Sequence, residues 1–137
     1  MSDAHLLSFV DGFHDCTVAV IGDLMLDRYV WGTASRISQE APVPVVRVAR
    51  QTVAAGGAAN VVNNLVAMGG RARTYGIVGK DENAEALERA LSERGANLDG
   101  IQHADHRSTT VKTRVIANNQ QVVRIDFEDT DDIASEE

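Results

Sequence analysis

The run Thr17-Val-Ala-Val-Ile21 constrains this chain most. It is apolar and β-branched, without polar alternation, and it stops at Gly22-Asp23. Such a run predicts a strand buried on both faces, as in a parallel sheet covered by helices. Gly22 then allows a turn at the strand's C-terminal end, which is where open α/β sheets bind ligands. Two helical patterns and a second strand follow. Val61, Leu65 and Met68 recur at helical spacing after Ala54-Ala-Gly-Gly-Ala-Ala-Asn60, and Gly69-Gly70 closes that helix. Ala72 to Val78 reads as a strand. Ala84, Leu87 and Leu91 mark a helix through Arg94, with Asp81 as its N-cap and Gly95 as its stop. This alternation predicts one α/β domain built from βαβ units.

Three segments depart from the alternation. Residues 3–13 read as a short helix with Leu6, Phe9, Val10 and Phe13 on one face, capped by Ser2 or Asp3. Residues 28–53 carry Pro42 and Pro44, which exclude a helix and predict an edge-strand excursion away from the main sheet. From Thr109 the period becomes two. Val111, Thr113, Val115 and Ala117, then Val123, Ile125 and Phe127, predict a hairpin turning at Asn118-Asn119. Its other face carries Lys112, Arg114 and Arg124.

Charge narrows the function. The net charge is −7, yet Asp126, Glu128, Asp129, Asp131, Asp132, Glu136 and Glu137 account for all of it. The first 125 residues are neutral, so no face-wide excess of Lys and Arg is available for nucleic acid. No stretch approaches the roughly 20 apolar residues of a membrane span, and Asp3 and His5 are unlike a secretory signal. The single cysteine, Cys16, excludes an internal disulfide and fits a small buried residue in a reducing cytoplasm. His5, His14, His103 and His106 lack metal-ligand spacing on one element.

The Gly56-Gly57 pair at a helix start is the most informative local feature. Without Cβ atoms a ligand can approach the backbone, and the helix start offers free N–H groups. Asn60, one turn in, can aim its amide at the same place. The alternative is a tight strand-to-helix turn with glycines needed for dihedrals alone. Neither the Walker A nor the G-x-G-x-x-G pattern is present. Asp23 and Asp27 follow the first strand, where carboxylates can accept hydrogen bonds from sugar hydroxyls, or else cap the turn and face solvent. Lys112, Arg114 and Arg124 can contact a phosphate or form a solvated strand face. Tyr29 and Trp31 can stack on a sugar or pack the excursion down.

Three segments then occur in order: Val20-Ile-Gly-Asp-Leu-Met-Leu-Asp-Arg-Tyr29, Ser35-Arg-Ile-Ser-Gln-Glu-Ala-Pro-Val-Pro-Val-Val46 and Ala55-Gly-Gly-Ala-Ala-Asn-Val-Val-Asn-Asn-Leu65. With Gly76-Ile-Val-Gly-Lys-Asp81 and Asn118-Asn-Gln-Gln-Val-Val-Arg-Ile-Asp-Phe-Glu128, they closely resemble the ribokinase/PfkB carbohydrate kinases from about Leu6 to Glu128. The stretch from Ser35 to Pro44 resembles the heptose-7-phosphate kinase branch in particular.

The resemblance implies a ribokinase-like α/β fold: a partial parallel sheet flanked by helices, with a small β-sheet lid made of about residues 28–53 and 109–127. It implies that Asp27 binds sugar hydroxyls, that Gly56, Gly57 and Asn60 form the sugar-binding element with Asp23 beside it, and that Lys112 and Arg114 approach a sugar phosphate. The implied activity is ATP-dependent phosphorylation of the anomeric hydroxyl of D-glycero-D-manno-heptose 7-phosphate, in ADP-heptose and lipopolysaccharide-core synthesis. Ribose, fructose or nucleoside kinases are the near alternatives, and a non-catalytic sugar-binding or dimerising fragment the distant one. The family's Gly-Ala-Gly-Asp element, with its catalytic aspartate and ATP site, does not occur in these residues. The expectation is therefore an N-terminal portion, inactive alone and binding no cofactor, with ATP and Mg serving the complete enzyme. A cytoplasmic location and a homodimer through the lid strands complete the expectation.

Overall fold

The computed structural model describes residues 3–131, so the expected Ser2 cap lies outside the described residues. The first strand, β1 (Thr17–Ile21), follows helix α1 (Asp3–Asp11) and a 3₁₀ turn at Phe13–Asp15. Two long strands, β2 (Leu24–Ile37) and β3 (Pro44–Gly56), lead into α2 (Gly57–Ala67). Then come β4 (Arg71–Gly79), α3 (Glu82–Ser92), β5 (Asn97–Ala104), and the hairpin of β6 (Thr110–Ala117) and β7 (Gln120–Phe127).

The strands form two sheets. One is parallel with order β1-β4-β5; the other is mixed with order β3-β2-β6-β7. In the second sheet β2 runs antiparallel to β3 and parallel to β6, and β6 runs antiparallel to β7. The hairpin turns at Asn118 and Asn119, whose φ of 52° and 65° are the left-handed pair of a two-residue turn.

The core lies where the two sheets meet the helices. Leu26, Ala55 and Val111 from the second sheet join Val20, Ala72 and Val78 from the first, and Ala59, Val62, Leu87 and Leu91 from the helices. The expected face of α3 (Ala84, Leu87, Leu91) is buried. The Asp81 carboxylate caps that helix through the Ala84 N–H at 2.9 Å and accepts the Thr109 N–H at 2.8 Å. The Thr109 hydroxyl in turn accepts the Gly79 N–H at 2.9 Å. Burial alone would raise the Asp81 pKa, but these backbone donors outweigh it and hold the carboxyl below its usual range. One carboxylate thus ties the β4–α3 turn to the entrance of β6.

Several expectations are corrected. β1 is not buried on both faces: only Val20 is buried, and Ile21 is 79% exposed. It is an edge strand, hydrogen-bonded only to β4 among the described residues. The excursion is not all edge. β2 starts at Leu24 and lies between β3 and β6; only β3, opened by Pro44, is an edge. The fully buried residues of α2 are Ala59 and Val62; of the expected face Leu65 packs against the core, while Val61 and Met68 are half exposed. Cys16 is exposed rather than buried. The sequence reading missed β5, whose interior Gly100 resembles a turn. A Cβ there would stand 2.3 Å from the Tyr75 ring, so glycine is what lets β5 pair with β4. Phe9 and Val10 of α1 and Val123, Ile125 and Phe127 of β7 are exposed, their apolar periodicity uncovered among the described residues.

Candidate functional site

Residues from three elements converge where β1 ends, β2 begins and β3 passes into α2. The Asp23 carbonyl accepts the Ala58 N–H at 2.9 Å, and Leu24 bridges to Gly57. This close crossing explains both glycines. Gly57 has φ +54°, and a Cβ on it would lie 2.5 Å from the Asp23 carbonyl oxygen. A Cβ on Gly56 would lie 2.8 Å from the Asp27 carboxylate oxygen Oδ2 and 2.9 Å from its Cγ. The glycine pair therefore makes room for this chain's own backbone and for the Asp27 carboxylate. Gly57 thereby also meets the dihedral need considered from sequence, whereas at Gly56, with φ −116°, the need is steric.

Asp27 lies on the face of β2 turned away from the core. Its Oδ1 accepts a hydrogen bond from Arg114 Nη1, and the pair is three-quarters or more buried. The Arg114 pKa is raised, first by this hydrogen bond. Asn60 stands exposed one turn into α2, and the Asp23 side chain is exposed in the turn. The structure thus brings Asp23, Asp27, Gly56 and Gly57 together, with Asn60 on the adjoining helix.

The expected phosphate contacts have partners of their own. Lys112 lies 3.1 Å from Glu128 and 3.4 Å from Asp126. The Glu128 hydrogen bond leads in raising the Lys112 pKa against burial, with Asp126 adding to it. Arg124 donates from Nε to Asp126 Oδ1 at 2.9 Å. Burial opposes the Asp126 charge, but Arg124 and Lys112 together lower its pKa. Tyr29 and Trp31 are stacked with centroids 6.1 Å apart, and Trp31 Nε1 donates to Thr52 Oγ1 at 3.3 Å. Arg114 lies 5.5 Å over the Tyr29 ring and Arg50 4.5 Å over the Trp31 ring. A hollow of about 280 Å³ opens between Trp31, Arg50, Ile116 and Asn119. Sequence reading missed Arg50. Its signal was alternation with Thr52 and Ala54 on a strand whose pairing with β2 was unknown.

Among the described residues no three His, Cys, Asp or Glu side chains converge as metal ligands. The start of α2 is crowded by Asp23 and Met25.

Comparison with known proteins places this geometry. The family model described as pfkB family carbohydrate kinase matches residues 16–137. The "Bifunctional protein HldE" of Citrifermentans bemidjiense is 52% identical over 128 residues, covering 93% of this chain and 26% of that protein. The protein of the same name from Geobacter sulfurreducens is 55% identical over 114 residues, covering 83% of this chain and 23% of that protein. The chain spans about a quarter of the length of these curated relatives. Among solved structures, a putative ribokinase from Agrobacterium tumefaciens superposes with TM-score 0.64 at 26% identity, over 81% of this chain and 35% of that one. The Arabidopsis thaliana ribokinase complexed with ribose and ATP superposes with TM-score 0.66 at 19% identity, over 80% and 35%. The ribokinase-like fold is therefore shown, and the chain belongs to the pfkB family of carbohydrate kinases.

Proposed function

We propose that this chain is the sugar-binding portion of an ATP-dependent kinase that phosphorylates the anomeric hydroxyl of D-glycero-D-manno-heptose 7-phosphate, a step toward ADP-heptose and the lipopolysaccharide core. The observation that carries the reading is Asp27: a carboxylate seated over Gly56, held by Arg114, beside the turn from β3 into α2. A carboxylate oriented in this way can accept hydrogen bonds from two adjacent sugar hydroxyls. Asn60 adds an amide from the helix. The choice of heptose rests on the Ser35 to Pro44 segment and on the similarity to the HldE proteins.

In this reading the second sheet is the lid, formed by about residues 28–53 and 109–127. ATP supplies the phosphoryl group. No described residue is assigned as the base for the hydroxyl or as a ligand of ATP and Mg. The contribution of these residues is to bind and orient the sugar, which fixes the hydroxyl for transfer. The exposed Val53, Val123, Ile125 and Phe127 support a subunit contact through the same sheet, checked by sedimentation at several concentrations. No helix among the described residues is long and apolar enough to cross a membrane, and a cytoplasmic location accords with a nucleotide-dependent sugar kinase.

Calorimetric titration of this chain with heptose 7-phosphate tests the site. Asp27→Asn is expected to weaken binding about tenfold to a hundredfold, the range for a hydrogen bond to a charged group. Unchanged affinity would remove Asp27 from the site.

A further inference from the structure

The outer face of the second sheet changes sign along its strands. Asp27, Lys112 and Asp126 stand in one register row and carry one net negative charge. In the next outward-facing row Tyr29, Thr52, Arg114 and Arg124 stand together and carry two positive charges. The row after that pairs Trp31 with Arg50 and adds one more positive charge. The face is therefore acidic beside the Gly56-Gly57 junction and basic toward the far end of β2.

Arg114 and Arg124 are direct cross-strand partners. Their Cβ atoms are about 5 Å apart, and like charges so placed repel. Among the described residues each guanidinium has a single carboxylate partner, Asp27 for Arg114 and Asp126 for Arg124, whereas Lys112 has two. Arg50 lies on the Trp31 ring, and no carboxylate among the described residues pairs with it. Arg124 is half exposed, and Arg50 borders the hollow of about 280 Å³. An anion lying between Arg114 and Arg124 would relieve their repulsion and accept the donors left over, since guanidinium presents five.

We propose that Arg114, Arg124 and Arg50 form the subsite for the phosphate at the far end of a sugar phosphate, and that Arg124 and Arg50, rather than Lys112, determine the preference for a phosphorylated sugar. At ~3.3 Å per residue, the Arg114 and Arg50 rows lie about 7 and 13 Å beyond the Asp27 row. That separation suits a substrate whose hydroxyls meet Asp27 while a terminal phosphate reaches the arginines. This assignment rests on the proposed sugar site at Asp27 and names the other end of its ligand.

Trp31 is the chain's single tryptophan and lies under Arg50, so its fluorescence reports on the subsite. The chain is titrated with heptose 7-phosphate, with the same heptose lacking phosphate, and with inorganic phosphate. Heptose 7-phosphate is expected to bind at least tenfold more tightly than either other probe. Arg124→Gln and Arg50→Gln should each lower affinity for the phosphorylated sugar about tenfold to a hundredfold and leave the unphosphorylated one unchanged. Arg124→Lys should restore part of the loss. Both positions are exposed, and circular dichroism confirms that the variants are folded. A phosphate preference that survives both glutamine variants overturns the subsite. Equal binding of the two sugars by the unaltered chain also overturns it, while leaving the sugar site intact. Binding of neither sugar removes the sugar site and the subsite with it.

Discussion

Gly56→Ala isolates the use of the glycine pair. The φ of Gly56 is −116°, which an alanine adopts without strain, so the cost is steric. The added Cβ would meet Asp27 Oδ2 at 2.8 Å and Asp27 Cγ and Met25 Cγ at 2.9 Å. Met25 is flexible and can yield. Asp27 is restrained by Arg114 and must give up that hydrogen bond to move. Overpacking costs about 1–3 kcal/mol. The lost bond to a charged partner adds about 1 kcal/mol once its partial exposure is allowed for. Urea unfolding should therefore show a loss of about 2–4 kcal/mol at unchanged m-value. In an Asp27→Ala background the carboxylate is gone and only Met25 stands in the way, so the same substitution should cost under about 1 kcal/mol. A double-mutant cycle reads the difference. Equal cost in both backgrounds would refute the claim that Gly56 makes room for Asp27.

Two further outcomes follow from the fold. Asp81 has a lowered folded pKa, so its contribution is present above the unfolded value near 4 and is lost as pH falls through the folded value. Acid titration of unfolding should show a steeper loss of stability below about pH 4 in the unaltered chain than in Asp81→Asn; identical acid limbs would refute the tie between Asp81 and the Thr109 N–H. Leu87→Ala, at a fully buried position between α3 and the sheets, should cost about 2–5 kcal/mol in chemical denaturation, and a smaller loss would mean that the site collapses.

What was legible in the sequence was what the local backbone decides. Asp81 caps α3 as expected, because an N-cap needs only its own turn. Asn118-Asn119 adopt the left-handed turn their type favours. Pro44 opens an edge strand because it lacks a donor. The alternating faces of β6 follow from a period of two. Burial was read less well where it depended on neighbours. The run at β1 buries only Val20, and on α2 the buried positions are Ala59 and Val62 while Val61 and Met68 of the expected face are half exposed.

The sequence by itself determined an α/β chain with a glycine pair at a helix start, two acids following the first strand and arginines on one hairpin face. The tertiary structure decided what those residues are for. The parallel pairing of β2 with β6 joins Asp27 to Arg114 across 87 positions, and no local period encodes such a contact. Register across the sheet, with the bulge between Val115 and Ile116, then set the Asp27 carboxylate over Gly56, stood Arg124 opposite Arg114, and brought Arg50 onto Trp31. Strand pairing depends on how separate elements pack around a shared core, and that information is distributed over the whole chain.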